Sequence, residues 1–220
     1  MRAEGADDIV ELPFANRATA GQALAQVVQR SVADVELILG LPRGGVAVGA
    51  EIASTLHVPL NVFLVRKVGA PGQPELAMGA LAETGHIELN HSVLDRLQVA
   101  DDVLKAVIEI ERHEIERRLK HYRQGRPAPD VQGRRVVVVD DGVATGATTL
   151  VALRALRAQR PAHLVLAVPV CPRSALSRLE SESDQVVVLV TPHPFGAVGS
   201  WYGDFHQMTD DEVTVLLGQW

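Results

Sequence analysis

One cysteine, Cys171, stands among 220 residues. An internal disulfide is therefore impossible, and a reducing compartment, the cytoplasm, is the expected setting. No run of about 18 apolar residues occurs, so no membrane span is expected. Basic residues are also short, because 21 Lys and Arg face 27 Asp and Glu and leave a formal net charge of −6. That disfavours an RNA- or DNA-binding face, which needs a cationic surface. The histidines are scattered and meet no cysteine cluster, so a dedicated zinc site is not expected. The first residues, Met1 to Glu11, are acidic and lack the basic-then-apolar pattern of a secretory signal. Aromatic residues make up only 4% of the chain, which makes any cluster of them informative. What remains is a chain long enough to bury one sizeable core.

The richest stretch runs Val136-Val137-Val138-Val139-Asp140-Asp141-Gly142-Val143-Ala144-Thr145-Gly146-Ala147-Thr148-Thr149. Four successive valines suit a strand covered on both faces, the pattern of a parallel sheet interior. Asp140 and Asp141 then fall at the strand's C-terminal end, the edge where open α/β sheets bind ligands. From Thr148 to Gln159 the apolar spacing suits a helix, so the small residues from Ala144 to Thr148 lie at a helix N-terminus. Unpaired N–H groups and the positive end of the helix dipole converge there, and two hydroxyls join them; a phosphate monoester fits such a turn. Two carboxylates one turn away suit the vicinal hydroxyls of a ribose, which can donate charge-assisted hydrogen bonds. Asp-Asp-Gly is also ordinary turn chemistry, and a Thr hydroxyl can simply cap a helix. Neither the Walker loop nor the Gly-x-Gly-x-x-Gly fingerprint is present.

Along the whole chain strand and helix signals alternate. Strands are expected near 36–41, 60–66, 134–140, 163–170 and 185–191, with more strand at the sheet's edge over 80–90 around Thr84-Gly85. Helices are expected over about 18–30, 45–57, 101–123, 147–159, 172–181 and 209–218. This order predicts an α/β fold with right-handed crossovers and a mainly parallel sheet. The longest helix carries Leu104, Ile108, Ile115, Leu119 and Tyr122 on one stripe, too few for a coiled coil and suited to packing on the sheet. Val68 to Gly79 holds three glycines and two prolines, the composition of a mobile loop. Phe195, Trp201, Tyr202 and Phe205 fall within eleven positions. Such rings can stack on a planar heterocycle or close the open end of the sheet as a small satellite core.

The acidic loop resembles the phosphoribosyl-pyrophosphate (PRPP) motif of the type I phosphoribosyltransferases. Leu37-Ile38-Leu39-Gly40-Leu41-Pro42-Arg43-Gly44-Gly45 is similar to the family's pyrophosphate loop. Together with Val65-Arg66-Lys67-Val68-Gly69 and Ala197-Val198-Gly199-Ser200-Trp201-Tyr202-Gly203-Asp204-Phe205, these marks resemble a less characterised group of bacterial phosphoribosyltransferase-domain proteins. The resemblance covers nearly the full chain. It implies one domain over 1–220: a twisted, mainly parallel core over about 30–191, a hood from about 1–17 and 191–208, and a flexible lid over about 68–82 that closes on the site.

The resemblance further implies transfer of a phosphoribosyl group from PRPP to a nucleobase-like nitrogen acceptor, with release of pyrophosphate. Asp140 and Asp141 would take the ribose hydroxyls, and Gly142, Val143, Ala144, Thr145, Gly146, Ala147 and Thr148 the 5′-phosphate. Arg43, Gly44 and Gly45 would hold the diphosphate, with a non-proline cis peptide expected at Arg43–Gly44. Arg66 and Lys67 would neutralise the departing pyrophosphate. Phe195, Trp201 and Tyr202 would form the acceptor hood. Mg²⁺ would be held through PRPP and water rather than a protein cage, and a homodimer is implied. Ala144 occupies a position where hypoxanthine-guanine members carry an aspartate that moves a proton. Adenine members also have alanine there and use a lid glutamate, for which Glu75 or Glu83 are candidates. The alternative is a PRPP-sensing regulator without transferase activity; a third option is the reverse chemistry, starting from a nucleotide.

Overall fold

The computed structural model describes residues 11–220; residues 1–10 of the expected hood lie outside the described residues. In chain order the elements are α1 (Arg17–Ser31), β1 (Leu37–Gly40), α2 (Gly44–Leu56), β2 (Leu60–Val62), β3 (Val65–Ala70), β4 (Gln73–Ala82), β5 (Ile87–Leu89), α3 (His91–Leu97), α4 (Asp101–Arg123), β6 (Arg135–Val139), α5 (Ala147–Arg157), β7 (His163–Val170), α6 (Arg173–Glu180), β8 (Gln185–Val190) and α7 (Asp210–Leu217). A 3₁₀ turn covers Val198–Trp201. Five strands form a parallel sheet in the order β2-β1-β6-β7-β8. The chain steps one way from β1 to β2 and the other way from β6 to β8. The crevice between the C-terminal ends of β1 and β6 is therefore the switch point of the sheet, where open α/β folds bind ligands.

The valine run behaves as a doubly covered strand. Val137 and Val139 pack with Ile38 and with Leu24 and Val28 of α1, while Val136 and Val138 face Leu37, Leu39 and Leu150 and Leu153 of α5. All four valines are fully buried, which alternation of side chains on a strand requires when helices cover both faces. α4 packs its stripe rather than forming a coiled coil. Ile115 and Tyr122 are buried, and Leu104, Ile108 and Leu119 lie partly buried against the same core. Among the described residues no helix is long and apolar enough to cross a membrane.

Two expectations change. The strand expected over 60–66 breaks after Val62. β1 ends at Gly40, whose carbonyl accepts the last cross-strand bond from the Phe63 N–H at 3.1 Å, and with no ladder left the chain leaves the sheet. β3 instead pairs antiparallel with β4, and β4 with β5, as a separate three-stranded ribbon rather than at the edge of the main sheet. The segment expected as an irregular lid is thus mostly strand. Val68 and Met78 are fully buried, so apolar residues at its base hold it in the core. Pro71 and Gly72, with φ +71° at the glycine, make a turn that needs a positive φ. Only the tip, residues 71–75, is uniformly exposed.

The base of this ribbon is fastened by a buried ion pair. Arg123, at the end of α4, donates to Glu83 Oε1 at 2.6 Å and to the Val62 carbonyl at 3.1 Å; Glu83 Oε2 accepts the Leu64 N–H at 2.8 Å. Glu83 has its pKa raised by burial, with Arg123 opposing. Its oxygens are thus committed to the fold, whereas Glu75, the other lid glutamate singled out from the sequence, is exposed at the ribbon tip. Removing one partner of such a pair leaves an uncompensated buried charge. Arg123→Met is expected to cost about 3–5 kcal/mol in denaturant unfolding, and Arg123→Met with Glu83→Leu to recover most of that loss.

Candidate functional site at the sheet switch point

The β1–α2 loop is pressed onto the end of β6. Leu41 N–H donates to the Val139 carbonyl at 2.8 Å, and Gly45 N–H to the Leu41 carbonyl at 3.0 Å. A Cβ on Gly45 would lie 2.4 Å from the Val139 carbonyl oxygen, and one on Gly44 would lie 1.8 Å from Asp141 Oδ2. At Gly45 the clash is with backbone and only glycine fits; at Gly44 a Cβ would displace the Asp141 and Arg17 side chains. The loop contains a non-proline cis peptide at Pro42–Arg43, one bond earlier than expected. Gly44 is already the first residue of α2, and the Arg43 carbonyl accepts the Val46 N–H at 3.1 Å, so the Arg43–Gly44 bond belongs to the trans geometry of the helix. Arg43 itself leans toward α7, its Nη1 3.9 Å from Asp210 Oδ1.

Asp140 and Asp141 follow β6 directly. Asp140 Oδ1 accepts the Asp141 N–H at 2.9 Å. Burial and the neighbouring Asp141 carboxylate push the Asp140 pKa well up. Asp141 is raised by burial as well, with the Arg17 guanidinium opposing. Arg17 Nε lies 2.7 Å from Asp141 Oδ2. Sequence placed Arg17 in the hood but gave it no partner, and a pairing across 124 positions leaves no local signal.

Beyond the aspartates the chain forms the small-residue loop. Val143 is buried and its N–H donates to the Val170 carbonyl at 2.9 Å. Gly146 has φ +80°, a conformation that favours glycine, and α5 begins at the next residue. The first N–H groups of a helix have no intrahelical partner and point outward. Ala144, Thr145, Ala147 and Thr148 are exposed around them. Arg178 of α6 donates through Nη2 to the Thr145 carbonyl at 2.9 Å, a loop support that no sequence pattern announced.

A cavity of about 680 Å³ separates the ribbon from α5, with Lys67, Glu75, Thr145, Thr148, Arg154 and Arg178 among its walls. The structure thus brings Lys67 and Glu75 to the same cavity as the loop. They form an ion pair at 2.9 Å near the ribbon tip. Arg66 points the other way, because neighbours on a strand face opposite sides; its Nε lies 2.7 Å from Glu111 of α4. Its partner in this structure is thus Glu111 rather than the small-residue loop. Among the described residues no group of three His, Cys, Asp or Glu could hold a metal ion.

The hood joins both chain ends. Phe14 N–H donates to the Trp201 carbonyl and Gly203 N–H to the Phe14 carbonyl, at 2.9 and 2.7 Å. Tyr202 is buried between Phe14 and Phe205, with ring centroids 5.5 and 5.0 Å away, and its hydroxyl donates to the Asp141 backbone carbonyl. Its ring therefore serves the satellite core and is withdrawn as a stacking surface. Trp201 donates its indole N–H to the Phe195 carbonyl at 2.9 Å; both rings keep partial exposure.

The model of the phosphoribosyl transferase domain family matches residues 15–200. Two Mycobacterium tuberculosis proteins, from strains CDC 1551 / Oshkosh and ATCC 25618 / H37Rv, are provisionally named phosphoribosyl transferases. Each is 43% identical over 204 residues, which cover 93% of this chain and 46% of theirs. The chain thus spans about half the length of these curated relatives. The crystal structure of TT1426 from Thermus thermophilus is similar with a TM-score of 0.79 and 42% identity, covering 94% of this chain and 98% of that one.

The raised Asp140 pKa has a consequence for stability. Between the unfolded and folded pKa the folded state binds more protons, so this group's contribution to stability falls as pH rises. Asp140→Asn removes the charge and keeps an acceptor for the Asp141 N–H. The variant is expected to melt higher than the parent at about pH 8 and close to it at about pH 5, measured without ligand by calorimetry.

Proposed function

The chain belongs to the phosphoribosyl transferase domain family, and on that footing we propose that it binds PRPP with Mg²⁺ and transfers the phosphoribosyl group to a nucleobase-like nitrogen acceptor, releasing pyrophosphate. The observation that carries this reading is one crevice shared by three parts. Gly44 and Gly45 close against Val139 and Asp141, the two aspartates end β6, and the small-residue turn leads straight into the N-terminus of α5.

Each part suits one piece of PRPP. The N–H groups and exposed hydroxyls of Gly142 to Thr148 suit the 5′-phosphate. The carboxylates of the acidic pair suit the ribose hydroxyls. The β1–α2 loop and the N-terminus of α2 that follows it suit the diphosphate, with Arg43 beside it. Mg²⁺ would be carried by PRPP oxygens and water, and it would supply charge neutralisation to the diphosphate.

The transferred carbon develops oxocarbenium character as pyrophosphate departs, with inversion at C1. Lys67 at the cavity wall offsets the charge of the departing group. Glu75, ion-paired to Lys67, is the ribbon-tip carboxylate available to take a proton from the acceptor nitrogen. The ribbon shields the reacting carbon from water. Most of the rate gain then comes from placement and fixed charge. A cytoplasmic homodimer completes the reading. Ala144 offers no base in the loop, so the proton transfer rests on Glu75; without it the second reading is a PRPP-sensing regulator.

Calorimetry with PRPP and Mg²⁺ tests the donor site. Asp140→Asn combined with Asp141→Asn is expected to lose at least about tenfold in affinity, a change of about 1.4 kcal/mol; unchanged binding would remove the assignment. Pyrophosphate release is then measured against adenine, hypoxanthine, guanine, uracil, orotate and small amines. One of these is expected to be turned over, with Lys67→Met slowing that turnover by roughly 100-fold. Tight PRPP binding with silence across the panel selects the regulator.

A further inference from the structure

We propose that Arg17 is a positioning residue of the donor site, fixing the Asp141 carboxylate between hood and core so that the acidic pair is held in place and charged for the ribose; this rests on the PRPP reading above. Arg17 opens α1 and is largely buried, with 9% of its surface exposed. Its three contacts point in different directions. Nε holds Asp141 Oδ2 at 2.7 Å, Nη1 donates to the His206 carbonyl at 2.9 Å, and the guanidinium carbon lies 3.9 Å from the centroid of the Phe205 ring. A planar fork can satisfy all three at once, whereas an ammonium cannot.

Asp141 is gripped a second time through its backbone. Phe205 stacks on Tyr202, and the Tyr202 hydroxyl donates to the Asp141 carbonyl. Its side chain has little room to turn away. The Oδ2 atom sits where a Gly44 Cβ would come within 1.8 Å, and that same Cβ would be 2.7 Å from Arg17 Nε. This oxygen is enclosed by the cation and the β1–α2 loop. The N-terminal segment, the C-terminal hood and the β1–α2 loop all meet at one carboxylate.

The charge of Arg17 has a separate effect. The groups facing Asp141 are Asp140 from the same strand end, Arg17 from α1 and Tyr202 from the hood; Gly44 brings no charge, and Asp204 lies beyond Arg17. Among the described residues no other cation pairs with either aspartate. Without Arg17 two adjacent buried carboxyls would share a proton to a higher pH, and the pair would lose an acceptor for the ribose.

The test measures affinity for PRPP with Mg²⁺ by calorimetry between about pH 5 and pH 9, on the full chain and on R17Q, R17K, D141N and the R17Q/D141N double variant. The titration of PRPP itself is common to all and cancels in the comparison. R17Q, checked for folding by circular dichroism and replaced by R17M if unfolded, is expected to bind about tenfold more weakly near neutrality, with the acid limb of its profile moved to higher pH. R17K is expected to keep the acid limb in place. The double variant is expected to bind only slightly more weakly than D141N alone, because the Arg17–Asp141 contact is lost in both. Arg17's role is overturned, with the donor site intact, if R17Q titrates as the parent does, if R17Q and R17K weaken equally with no shift, or if the R17Q and D141N losses add in full. A parent protein that does not bind PRPP overturns the donor reading itself, and this proposal with it.

Discussion

Two backbones approach at the carboxyl end of the sheet more closely than side chains permit, and the arrangement of the whole crevice depends on that approach. β1 and β6 pair in register from Leu37 with Val136 to Gly40 with Val139, so both strands stop at the same level. The ladder then continues for one more bond, from Leu41 N–H to the Val139 carbonyl. Gly44 and Gly45 let α2 start immediately above the acidic pair. A Cβ at Gly40 would also strike Val46, 2.8 Å from its Cα. Three glycines thus let a helix N-terminus, a loop and two carboxylates share a space that larger residues would fill.

That closeness places charge where water is scarce. Two neighbouring carboxyls cost free energy when buried unless something offsets them, and Arg17 is the offset this chain supplies. The compensation is partial, since both pKa values stay raised. Raised carboxyl pKa values of this kind mark stability forgone at a site, which a ligand that supplies hydrogen-bond donors would restore. The contrast with Glu83 is instructive. Glu83 is also buried and raised, yet its oxygens already have Arg123 and the Leu64 N–H as partners, and it serves the fold.

Much of this was legible in the order of residues, and the limits have physical causes. Four valines before two aspartates announced a doubly covered strand and its ligand-binding end, because burial on both faces removes the usual alternation. Asp140, Asp141 and the Ala144–Thr148 turn are consecutive, so their proximity needed no fold. The ribbon was read as a loop because glycine and proline weigh heavily in composition, while Pro71-Gly72 is only its turn and Val68 and Met78 fasten its base. Arg66 and Lys67 looked equivalent in sequence; once both lie on a strand, alternation sends one to Glu111 and the other to the cavity. Arg17, Tyr202 and Arg178 act across long separations, and nothing local marks such pairs.

The hood cannot move independently of the donor loops. Val198 of the 3₁₀ turn lies 2.5 Å from where a Gly142 Cβ would stand, Tyr202 holds the Asp141 carbonyl, and Phe205 carries the guanidinium that holds the Asp141 carboxylate. Since Tyr202 is committed to packing, the aromatic surface left to an acceptor is that of Phe195 and Trp201. Trp201 adjoins Tyr202 in sequence and its carbonyl receives the Phe14 N–H. Elements that carry these rings therefore also hold Asp141. Two ligands coupled through them would change each other's affinity by the same factor, since binding linkage is reciprocal. The contacts that join them are the Tyr202 hydroxyl on the Asp141 carbonyl and Arg17 on its carboxylate.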